Sequence, residues 1–119
     1  MLRLARSFRF AFAGLTYLTR TQPNFRIELA LGSVAVALAL WLGFTATEWA
    51  VLATIVALVL ILEGVNTALE LTVDLASPAV HPKARAAKDV AAGTVLIAST
   101  ASVACGALLF GPRLLSLLD

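Results

Sequence analysis

The chain is short of charge, thiol and imidazole. Its 119 residues hold nine Lys and Arg, seven Asp and Glu, one cysteine and one histidine. Cys105 lies in an apolar run without a second thiol, which excludes an intrachain disulfide and leaves no zinc-type spacing; it reads as a small buried hydrophobe. A net charge of +2 is too small to mark a nucleic-acid binder. There is no Gly-rich phosphate loop and no protein-kinase catalytic loop. No internal repeat, low-complexity tract or linker interrupts the chain, and its length allows one domain. What is present is apolar: 61% hydrophobic residues, against about 45–50% for soluble domains.

Uncharged runs organise that apolar content. Nineteen residues run from Leu29 to Thr47, fourteen from Trp49 to Leu62, and twenty-three from Val90 to Pro112. A membrane helix needs about twenty, so the middle run reaches full length only by taking in Glu63 and Glu70. The expected fold is all-α, with transmembrane helices at 27–47, 49–72 and 88–111, joined outside by "TATE" and inside by the loop "LASPAVHPKARAAKD".

The first twenty residues form a different pattern. At 100° per residue, Leu4, Ala5, Phe8, Ala11, Phe12, Leu15 and Leu18 share a face, with Arg3, Arg6, Arg9 and Arg20 opposite. That predicts a basic amphipathic helix lying in the interface at 1–20. The apolar core between Arg9 and Arg20, broken by Gly14, Thr16 and Tyr17, is too short for a signal peptide. Eight of the nine positive charges fall in this segment, at Arg26 or in the 75–89 loop; the other is Arg113. The positive-inside rule makes that side cytoplasmic. Trp41 and Trp49 flank the outer turn as interfacial aromatics.

Against this background "EGVNTALELTVD", residues 63–74, stands out. On a helix, Asn66, Glu70 and Asp74 lie within about 60° of Glu63, on one stripe. Each acid costs roughly 2.5–3.5 kcal/mol at mid-membrane. Solvation at the headgroups accounts for Asp74 and fairly for Glu70. It fails for Glu63, which lies about 21 Å along the helix from Trp49. Arg26, Glu28, His81, Lys83, Lys88 and Asp89 reach the same cytoplasmic end. Carboxylates suit Mg²⁺, which keeps phosphate and water oxygens among its ligands. Lys and Arg suit phosphates, and an acid in apolar surroundings suits proton abstraction from a hydroxyl. The combination points to phosphoryl transfer at the membrane surface.

These residues resemble the small prokaryotic diacylglycerol kinase family, integral-membrane lipid kinases that include undecaprenol kinases. "EGVNTALELTVD" matches Glu-x-x-Asn-Ser/Thr-Ala-x-Glu-x-x-Val-Asp. "HPKARAAKDVAAGTVLIAS" continues the match at the family's spacing, and "FRFAFAGLTYLTRTQPNFRIE" extends it more weakly. The wording is slightly closer to the undecaprenol-kinase branch. The resemblance implies a single lipid kinase domain over 1–119, a homotrimer in a bacterial membrane, ATP with Mg²⁺ as donor and a membrane lipid alcohol as acceptor. By it, Glu63 is the general base and Glu70 a metal-binding acid. Asn66, Asp74, His81, Lys88 and Asp89 surround the nucleotide, with Arg3 as a phosphate contact. Glu28 is a further acid at the metal, and Ala92 with the N-terminal helix shapes the acceptor site. Gln22 stands where the family has a second metal-binding glutamate; its carbonyl can ligate Mg²⁺ but brings no charge.

Two other readings fit parts of the pattern. A small proton-coupled transporter would use Glu63 to exchange protons, and a structural membrane subunit would pair its acids with a partner's bases. Neither predicts dependence on ATP.

Overall fold

The computed structural model describes residues 1–119 as four helices and no strand: α1 Leu2–Thr21, α2 Pro23–Leu42, α3 Ala46–Ala76 and α4 Pro82–Leu115. The last three are long and apolar enough to cross a membrane. The all-α architecture, with an N-terminal helix distinct from three potential spans, agrees with the sequence. α3 packs most extensively on α4, less on α2, and α1 adjoins α2. Only nine residues are buried, so the apolar surface of α2–α4 faces outward, as lipid contact requires and water would not tolerate.

The turns differ from expectation, and local chemistry explains each difference. The first span was expected to run to residue 47, with 45–48 as turn, but α2 stops at Leu42. Gly43 takes the left-handed conformation, φ 68°, and Phe44 N–H returns to the Ala39 carbonyl at 3.2 Å, a Schellman-type stop. Thr45 then caps α3 in a capping box: its N–H donates to Glu48 Oε2 at 2.7 Å, and Glu48 N–H to Thr45 Oγ1 at 3.3 Å. Ala46, Thr47 and Glu48 are therefore the first turn of α3. Hydropathy alone, in a run uncharged through Thr47, does not register that stop.

On the other side the expected fifteen-residue loop shrinks to residues 77–81. Pro82, whose missing N–H costs nothing at a helix start, begins α4 directly. His81 is the N-cap, its Nδ1 accepting the Lys83 N–H at 3.1 Å. Lys83, Arg85, Lys88 and Asp89 are consequently helical. α3 spans about 46 Å at 1.5 Å per residue, more than the ~30 Å hydrocarbon layer. With Trp49 at one boundary, Glu63 stays inside, Glu70 meets the other boundary, and Asp74 lies beyond it.

A tight elbow joins α1 to α2. Gln22 N–H caps the Leu18 carbonyl at 2.9 Å, and Arg26 Nη1 donates to the carbonyls of Thr19 at 3.0 Å and Arg20 at 3.2 Å. At the opposite end of the molecule, Arg113 holds Glu48 and the Leu42 carbonyl.

Candidate functional site

Three buried polar residues, Glu63 (3% exposed), Asn66 (9%) and Thr67 (3%), sit together on α3. Thr67 spends its hydroxyl on the Glu63 backbone carbonyl at 3.0 Å. The Glu63 side chain has no such relief: the charge acting on it, from Glu70, is of like sign. Across the α2–α3 interface Glu28 adds a second repulsive carboxylate. Asn66 Nδ2 donates to Glu70 Oε1 at 3.2 Å, which ties those two side chains into one unit. Two oxygens are buried without a hydrogen-bond partner, Glu28 Oε2 and Asn66 Oδ1. Unsatisfied acceptors of this kind cost about 1–3 kcal/mol each, a cost that a cation or a donated proton would remove.

Beyond Glu70 the stripe becomes an interhelical tie. Asp74 on α3 is ion-paired with Lys88 on α4. Both line a pocket of about 340 Å³, with Ser77, His81 and Arg85 on its other walls. The mixture of cations, a hydroxyl and an imidazole suits a phosphorylated polar ligand.

Other residues singled out from the sequence make contacts of their own. Asp89 faces Arg85 at 4.0 Å in an exposed pair along α4, the kind of contact that contributes little. Gln22 Nε2 donates to Thr21 Oγ1 at 3.1 Å in the elbow. Arg3 is exposed near the free end of α1, and Ala92 is exposed on α4.

An apolar groove of about 820 Å³ is walled by α1, α2 and α3, and Leu60, Gly64 and Thr67, which flank Glu63 along α3, line it. Phe10, Gly14 and Leu18 come from α1, Phe25 from α2, Leu60 and Gly64 from α3. Gly64, the residue after Glu63, is where α1 and α3 close up: a Cβ there would lie 3.4 Å from Leu18 Cδ1. The helical wheel gave α1 its apolar face through Leu4, Phe8 and Phe12, and these are 57–65% exposed. The groove instead draws on Phe10, Gly14 and Tyr17 together with Ala11, Leu15 and Leu18. α1 is thus apolar on two adjoining faces, one for the groove and one open to lipid.

No group of three His, Cys, Asp or Glu side chains converges to hold a metal within one chain. The donor set nonetheless fits a hard cation. Every candidate atom is an oxygen, one is an orphaned amide oxygen beside Glu70, and Mg²⁺ is commonly held by one or two carboxylates plus phosphate and water.

A membrane-spanning bundle whose α3 carries a buried carboxylate and contributes to both an apolar groove and a polar pocket suits chemistry on an amphiphile. The family model for prokaryotic diacylglycerol kinase matches residues 9–110. A diacylglycerol kinase of Synechocystis sp. is 48% identical over 113 residues, covering 94% of this chain and 65% of that protein. An undecaprenol kinase of Bacillus subtilis is 35% identical over 112 residues, covering 94% of this chain and 91% of that protein. The chain spans less than two thirds of the length of the first relative and most of the second. It belongs to the prokaryotic diacylglycerol kinase family, and is a multi-pass membrane protein.

Glu48 and Arg113 were not singled out from sequence. The signal existed in Thr45-x-x-Glu48 and in the isolation of Arg113 from the other cations, but no linear pattern joins positions 65 residues apart.

Proposed function

We propose that the protein is a lipid kinase, transferring the γ-phosphoryl group of ATP to the hydroxyl of a membrane lipid, diacylglycerol or undecaprenol, with Mg²⁺ and as a homotrimer. One observation carries the reading. Glu63 is a carboxylate buried without a compensating cation, and its neighbour in sequence, Gly64, lines the wall of a lipid-sized apolar groove.

The lipid tail occupies the groove, with its hydroxyl at the level of Glu63, about two turns of α3 inside the boundary at Glu70. Glu63 takes the hydroxyl proton while the hydroxyl oxygen bonds to the γ-phosphorus. The bond to the bridging β–γ oxygen breaks and ADP leaves with that electron pair. Glu70 and the Asn66 carbonyl oxygen would hold Mg²⁺, whose charge offsets that of the phosphates. Lys88, anchored by Asp74, and His81 border the pocket for the nucleotide. Positioning and electrostatics supply most of the rate, as is usual in phosphoryl transfer.

Eight of the nine cations lie in α1 or in the first turns of α2 and α4. The ninth, Arg113, is neutralised by Glu48 at the far end. This distribution favours a cytoplasmic active site, where ATP is available. Arg3, near the free end of α1, and Asp89, next to Lys88 on α4, are further nucleotide contacts in this reading.

The test is transfer of labelled γ-phosphate in lipid–detergent micelles containing diacylglycerol, undecaprenol or neither, with and without Mg²⁺. Label in one lipid, absent without Mg²⁺ and absent in Glu63→Gln, supports the reading and names the acceptor. No label in either lipid from a folded protein defeats it.

A further inference from the structure

The groove depends on a helix that is poorly held. α1 contributes no buried residue, yet it supplies about half of the groove's lining, from Phe10 to Thr19. An amphipathic helix on the membrane surface can slide or lift unless something fixes it. Contacts at its C-terminal end fix this one.

One is the approach of Leu18 to Gly64 on α3. Another is Arg26. A helix leaves its last four carbonyls without intrahelical partners. Here Gln22 N–H takes the carbonyl of Leu18, and the Arg26 guanidinium, reaching back from the first turn of α2, takes those of Thr19 and Arg20. A cation at this position also opposes the negative end of the helix dipole. Arg26 therefore fastens the end of α1 to the start of α2, and Thr19, one of its acceptors, itself lines the groove.

We propose that Arg26 is a positioning residue for the lipid acceptor. By capping α1 it holds the outer wall of the groove against Gly64, and so sets acceptor affinity without touching the nucleotide. This rests on the lipid-kinase reading and adds to it a residue that acts on one substrate only. Arg26 has a competing role open to any cation at the cytoplasmic end, direct contact with ATP phosphates. That role would raise the KM for ATP; the capping role leaves it unchanged.

The experiment compares wild type, Arg26→Ala, Arg26→Gln and Arg26→Lys in mixed micelles, measuring KM for acceptor (as mole fraction), KM for ATP and kcat. A nitroxide at Ser7→Cys in a Cys105→Ala background reports the mobility of α1 independently of turnover. Loss of two charge-assisted bonds is expected to raise the acceptor KM about tenfold in Arg26→Ala. KM for ATP and kcat stay within about twofold, the nitroxide line shape sharpens, and Arg26→Lys falls between. If Arg26→Ala does not fold, Arg26→Gln, which keeps one donor group, carries the same comparison. An unchanged acceptor KM, a rise in the ATP KM, or an unaltered line shape overturns the proposal. A wild-type protein that phosphorylates neither lipid defeats the kinase reading itself. An active wild type with an indifferent Arg26→Ala defeats this proposal alone.

Discussion

Arg113 near the end of α4 grips Glu48 in the first turn of α3 through two hydrogen bonds, Nε to Oε1 at 2.9 Å and Nη2 to Oε2 at 2.6 Å. Its third contact, Nη1 to the Leu42 carbonyl at 2.9 Å, reaches the end of α2, and its guanidinium lies 5.5 Å from the Phe44 ring centroid. One side chain thus joins all three spans at the end opposite the site. Phe44 packs edge-on to Trp49 and against Phe110 beside it. Arg113→Ala is expected to lower the Tm in detergent by several degrees while leaving acceptor and ATP KM unchanged. A thermal melt alongside the kinase assay checks both. Unchanged Tm would mean the headgroup region replaces the pair.

Gly43→Ala should also destabilise, by about 1–2 kcal/mol, because a Cβ is disfavoured in the left-handed region that residue occupies. Space is not the reason, since nothing lies within 4 Å of the added carbon. Denaturant or thermal unfolding of the variant reads the loss; stability equal to wild type would show that the turn rebuilds.

Glu63→Gln keeps the size and burial of the side chain and removes its capacity to take a proton. A general base is worth about 10²–10⁴ in rate, so kcat should fall at least about 100-fold with helicity, assembly and ATP binding retained. Circular dichroism, size exclusion and nucleotide titration accompany the assay. Loss of assembly would make Glu63 structural instead.

Asn66→Ala removes both the orphaned amide oxygen and the bond that orients Glu70. The Mg²⁺ concentration for half-maximal activity should rise about tenfold, as for other orienting groups around metals. Gln22→Glu should leave that concentration close to wild type, since Gln22 is engaged with Thr21 in the elbow. A marked fall would mean that residue 22 reaches the metal in the working enzyme.

The Asp74–Lys88 pair is part-exposed, at 62% and 38% of the two side chains. A double-mutant cycle with Asp74→Ala and Lys88→Ala should give a coupling of at most about 1 kcal/mol in stability. Lys88→Ala should act chiefly on the KM for ATP. A coupling of several kcal/mol would identify the pair as a structural tie first.

The helices and the acid stripe were legible in the sequence because their signals are local. Long uncharged runs define spans whatever their neighbours, and offsets of three, seven and eleven put Asn66, Glu70 and Asp74 on one side of Glu63. The ends of those helices were hidden, although the Gly43 stop, the Thr45 capping box and Pro82 are all written in the chain. Hydrophobicity averages over a window, whereas a cap is one or two hydrogen bonds. What only the tertiary structure decided is which distant groups meet: Asp74 with Lys88, Glu48 with Arg113, and Leu18 with Gly64. Helical periodicity assigns a residue to a face, but which face meets which neighbour depends on crossing geometry and on short loops. Neither leaves a periodic trace in the sequence.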